Sequence, residues 1–133
     1  MLKTFATLLV MSAISLAANA GDEPRLYLVS PTDGATVKNP VTVVFGLTGY
    51  GVAPAGVAKD MTGHHHLLVD IDLPDLSVPI PNDENHRHFG GGQTEVTLEL
   101  DPGEHTLQLL LGNFAHIPHD PPVISDRITI TVE

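Results

Sequence analysis

Gly63-His64-His65-His66-Leu67-Leu68-Val69-Asp70-Ile71-Asp72 places three consecutive histidines directly before an apolar run. Successive strand side chains point to opposite faces, so Leu67, Val69 and Ile71 share one side while Leu68, Asp70 and Asp72 share the other. This period-two pattern predicts a β-strand over 65–71 with the histidine triplet at its mouth. By the same parity His65 joins the apolar face, and His64 and His66 join the polar one. A single inward histidine is ordinarily satisfied by a backbone carbonyl, which is the expectation for His65. Its two neighbours need more explanation, because five further histidines follow.

Outward from this stretch the same period recurs, with no run of helical period 3.6. Leu26-Tyr27-Leu28-Val29 reads as a short strand ended by Ser30-Pro31-Thr32-Asp33-Gly34, whose proline and Asp-Gly pair favour a turn. Val41, Val43, Phe45 and Leu47 alternate with Thr42, Val44, Gly46 and Thr48 in a second strand. Residues 49–63 form a Gly/Ala/Pro-rich connection. Beyond Asp72, a proline-rich segment over 73–81 and the run Asn82 to Phe89 admit at most an irregular edge strand, since proline removes ladder donors. Thr94 to Leu100 alternates cleanly, Asp101-Pro102-Gly103 turns, and His105, Leu107, Leu109 and Leu111 supply the inward face of a following strand. These two segments are expected to pair as a hairpin. Ile124, Ile128, Ile130 and Val132 mark a closing strand, with Ser125 to Arg127 as an expected bulge.

Six or seven short antiparallel strands predict an all-β fold, an immunoglobulin-like β-sandwich, with a small barrel as the alternative. The start of the chain sets a further boundary. Lys3, an apolar run from Phe5 to Ala18 and Ala18-Asn19-Ala20 have the form of a secretory signal peptide over 1–20. A single domain over 21–133, periplasmic or secreted and without a membrane span, is the expected mature protein. The chain has no cysteine although an exported compartment permits disulfides, so stability must come from packing or from a bound ion. Net charge is −10. Loss of Lys3 with the leader would leave about −11, which argues against nucleic acid and favours cations.

Alternation of strand direction places the loops before 65–71, before 94–100 and after 104–111 at one end of the sandwich. His64 and His66, His86 and His88, and His116 and His119 all fall there, whereas His105 falls at the far end. Imidazole is a common ligand for zinc and copper, and His-x-His in an extended segment puts two rings on one side. These six histidines are therefore the candidate metal ligands, with Met61, His65 and His105 as possible additions. The Met61 thioether would suit Cu(I). Asp60, Asp70, Asp72, Asp83 and Glu84 are candidates for orienting the rings. Gly90-Gly91-Gly92 lacks the Lys and Ser/Thr of a phosphate loop and reads as a turn.

Gly63-His64-His65-His66-Leu67, His88-Phe89 with Gly92-Gln93-Thr94-Glu95, the run Pro102 to Leu109, and His116-Ile117-Pro118-His119 before Pro121-Pro122 together resemble the bacterial family "domain of unknown function 4399". The resemblance implies that Gly92-Gln93-Thr94 and His105 belong to the family pattern. The expected function is an exported metal-binding domain, with copper favoured over zinc. An enzyme at the same histidine site is the alternative, although no nucleophile or paired carboxylates stand out. A second alternative is an immunoglobulin-like accessory module that binds a protein partner, such as another exported protein, or a glycan, with histidines that only order the loops.

Overall fold

Val41, Val43 and Phe45 are buried while Thr42 faces solvent, the alternation of a strand with one face on a core. The computed structural model describes residues 23–133, and the leader expected over 1–20 lies outside the described residues. Within them the chain is all-β. The strands are β1 (Arg25–Ser30), β2 (Thr36–Val37), β3 (Val41–Thr48), β4 (Gly51–Val52), β5 (Thr62–Val69), β6 (His86–His88), β7 (Glu95–Leu98), β8 (Gly103–Gly112) and β9 (Ile128–Val132). None of the described residues forms a helix long and apolar enough to cross a membrane.

One sheet has the order β1-β3-β7, and the other β2-β9-β8-β5-β4, with β6 also on β5. Two separate sheets make this a sandwich. The β2–β9 and β4–β5 pairings are parallel and the rest antiparallel, so the larger sheet is mixed. Leu26, Val43 and Phe45 from the smaller sheet meet Leu67, Leu107, Leu109, Leu111 and Ile130 from the larger one in a single core.

The expected hairpin does not form. β7 pairs with β3 and β8 pairs with β5 and β9, so Asp101-Pro102-Gly103 carries the chain from one sheet to the other. Asn39 holds the crossing, since its Nδ2 donates to Leu100 O at 2.6 Å and its Oδ1 accepts from Leu100 N at 3.0 Å. Crossing lets Leu98 and Leu107 face each other's sheet across the core; a hairpin would put both on one layer.

The central strand also departs from its expected bounds. β5 begins at Thr62, so the histidine triplet lies inside the strand rather than at its mouth. It stops before Asp70, whose φ of 56° breaks the extended period. Ile71 therefore leaves the face of Leu67 and Val69 and packs against Leu68, Ile80 and Leu110 on the outer side of the sheet. Leu68, expected on a polar face, is 1% exposed. The proline-rich segment lies over that outer face as a strap anchored by buried Ile80. Both faces of β5 are consequently dry, and from Gly63 to Val69 every residue is buried.

Candidate metal centre

His64 and His66 lie two residues apart on β5 and project onto the outer face of the large sheet. Antiparallel partners share a face, and the pairing of His66 with His88 brings the β6 ring beside them. The fourth ring comes from the loop after β8. His116 N donates to Asn113 O at 2.9 Å, and Asn113 Oδ1 accepts from Ala115 N at 2.8 Å and Ile117 N at 3.1 Å. This closed turn holds His116 at φ 65°, a left-handed conformation uncommon for residues other than glycine.

The four rings can meet because β8 ends in a glycine. Gly112 stands opposite His64, and a Cβ there would lie 2.6 Å from His66 Cε1 and 3.4 Å from His116 Cα. Glycine within a strand often marks such a close approach, so Gly112 is a signal of the site that the sequence itself carries. Asn113 and Ile80 support the site without a motif to mark them in the sequence; Ile80 N donates to the carbonyl of His116 at 2.8 Å and ties the strap to the loop.

One ring nitrogen from each of His64, His66, His88 and His116 lies within 4.8 Å of the others, so the group can hold a metal ion. His64 Nε2 is 3.1 Å from His116 Nδ1 and 3.2 Å from His88 Nε2. A neutral ring nitrogen carries one proton or one lone pair, so it can serve only one of these contacts as a good hydrogen bond. A cation among the rings would accept lone pairs from all of them. Ligand nitrogens about 2.0–2.1 Å from a metal stand ~3.3 Å apart in a tetrahedron, close to the two short separations.

The electrostatics keep those lone pairs free. Burial pushes His64 down to about 4, with repulsion from His88 and His116 adding to it. Burial takes His66 to about 3, and neighbouring imidazoles again contribute. His88 is lowered by burial and by His116. At neutral pH these three rings are neutral, the form that binds metal. A cleft of about 140 Å³, lined by His66, His88, His116, Pro79, Ile80 and Asn82, opens onto the group.

The other candidate residues lie elsewhere. His86 shares the face of His88 but sits one strand period farther along, where Asp83 Oδ1 takes its Nδ1 at 2.8 Å. His119 Nε2 donates to Thr62 O at 3.0 Å, and its ring stands edge-on to Tyr50. Met61 is exposed on the neighbouring loop. His65 faces the core against Phe45, and neither of its nitrogens has the expected backbone partner. His105, at the far end, is held by Asp70 Oδ2 at 2.6 Å and the Asp101 carbonyl at 2.7 Å. Among the acidic candidates, Asp70 orients His105, Asp83 orients His86 and Asp72 pairs with Arg127, and no carboxylate enters the four-histidine group.

No curated protein and no solved structure matches the chain. The family model described as "Domain of unknown function (DUF4399)" matches residues 43–133, a span that contains β5, β6, the Asn113 turn and all four converging histidines, and the chain belongs to that family.

Proposed function

We propose that this protein is an exported, periplasmic or secreted, transition-metal-binding domain that holds one ion through His64, His66, His88 and His116. The observation that carries the reading is the convergence of four imidazoles whose close contacts cannot all be satisfied by protons. The donor set fits. Imidazole suits both zinc and copper, and copper is favoured because divalent copper binds a given nitrogen site more tightly than zinc in the general affinity order. Met61 lies outside the group, so the preference for copper rests on that order and not on a thioether. The residues bind and orient: β5 and β6 fix three rings, the Asn113 turn fixes the fourth, and the strap, through Pro79 and Ile80, forms one wall of the cleft beside them. The acidic surface of the chain would attract cations toward the site.

Chelator-stripped protein titrated at pH 7.5 with copper, and separately with zinc, should bind one equivalent of each, with copper displacing zinc. Elemental analysis of untagged protein recovered from the exported fraction tests the same reading under supply by the cell. His64→Ala with His88→Ala should abolish stoichiometric binding, whereas His86→Ala should leave it within a few fold. Undiminished binding by the double variant would move the site elsewhere.

A further inference from the structure

The spacing of the four rings is uneven in an informative way. Ring centroids are 4.7 Å apart for His64–His66, 5.0 Å for His64–His88, 5.0 Å for His64–His116, 5.1 Å for His66–His88 and 4.8 Å for His88–His116. The sixth pair, His66–His116, is opened to 6.2 Å. With nitrogens about 2.0–2.1 Å from an ion, each ring centre lies roughly 3.2 Å from it, so a regular tetrahedron gives ~5.2 Å for every pair and a square plane gives two pairs at ~6.4 Å. Five pairs follow the tetrahedron. One angle alone is spread.

The spread pair faces an opening. Both His66 and His116 line the cleft of about 140 Å³ that Pro79, Ile80, Asn82 and His88 complete. Tight structural sites are closed by their protein ligands, whereas sites that take an outside ligand keep a position free. We infer that an ion held by the four imidazoles has an open coordination position between His66 and His116, reached through this cleft and taking a small neutral or singly charged donor of a few heavy atoms. A water's share of liquid volume is about 30 Å³, so the cleft accommodates a hydroxide, a halide or a triatomic anion and not an extended organic ligand. The inference rests on the metal-binding reading above, and its test separates the two.

The full chain is loaded with Cu(II) at pH 7.5 and titrated with sodium azide, followed by near-ultraviolet charge-transfer absorption and by electron paramagnetic resonance. A new band that saturates with azide while copper stays bound is the expected result. Asn82 is exposed at the cleft mouth, so Asn82→Trp should weaken azide at least tenfold with copper affinity unchanged, and Asn82→Leu provides a smaller plug if the first variant folds poorly. Failure to bind copper would overturn the metal reading and this one with it. Bound copper with spectra indifferent to azide would overturn the open position alone, and equal azide affinity in the plugged variants would overturn the route.

Discussion

Gly112 and His65 show two opposite demands on single residues. A methyl group at Gly112 would collide with the ring of His66 and touch the backbone of His116, so Gly112→Ala must displace the His66 ring. The expected outcome is a loss of metal affinity of ten- to a hundredfold, the range seen when the supports of a ligand are disturbed, read by competition with a chromophoric chelator. Unchanged affinity would mean that the rings do not need their close approach. His65 is a core residue whose ring nitrogens both lack partners, and leaving a buried polar group unpaired costs about 1–3 kcal/mol. His65→Leu should therefore raise the urea midpoint of metal-free protein at pH 7.5. Burial also lowers His65 to about 4, so the unfolded chain binds a proton that the folded one refuses. Stability is then lost as pH falls from the ordinary value near 6.5 through 4, by up to ~3 kcal/mol for this group. The leucine variant should lose less over that interval, and parallel pH profiles for the two proteins would exclude His65 as a source of the acid sensitivity.

At the scale of elements, β5 is a strand with two dry faces and a tie at each end. Its inner face, with that of its neighbour β8, packs against the smaller sheet; Leu109 on β8 is fully buried in that core, and Leu109→Ala should cost roughly 2–5 kcal/mol by chemical denaturation. A loss of a few tenths would be incompatible with this packing. Beyond its end, Asp70 accepts from Thr106 N at 2.8 Å and from His105, whose pKa is raised chiefly by the bond to Asp70. A raised histidine contributes stability that is fully present below the unfolded value near 6.5 and is lost as pH rises through the folded value. His105→Ala should accordingly destabilise the protein more at pH 6 than at pH 9, while leaving copper stoichiometry intact. A larger effect at pH 9 would reverse the assigned sign.

For the whole molecule, the metal and the fold are linked, because the four ligands come from β5, β6 and the loop after β8 and converge only when the large sheet and its strap are assembled. An ion that binds the folded chain alone stabilises it by about 2.7 kcal/mol at a hundredfold excess over Kd. The unfolding midpoint should rise with free copper at pH 7.5, and coincident curves with and without copper would end the metal hypothesis. Four ordinary imidazoles would make affinity fall steeply below about pH 6. Burial holds His64 near 4 and His66 near 3, so those rings stay neutral well below that point. Between pH 6 and 5 the logarithm of the affinity should fall by clearly less than four per pH unit, as followed by competition titration; a slope near four would mean that the rings titrate as if exposed.

The sequence by itself determined the all-β class, most of the strands, the inward parity of His65, Leu67 and Val69, and the tendency of the histidines to gather, because strand periodicity and turn chemistry are local. It also carried the family pattern. Tertiary structure decided which histidines meet. His86 and His88 are equivalent by spacing, yet only the register that sets His88 opposite His66 brings one ring into the group and leaves the other with Asp83. His116 and His119 differ in the same way, through the Asn113 turn. The sheet crossing at Leu100 and the burial of Leu68 beneath the strap were likewise illegible, since each depends on partners distant in the chain, Asn39 for one and Ile80 for the other. A period of two tells which side of a strand a residue occupies; only the packing of a second segment on that side tells whether the side is wet.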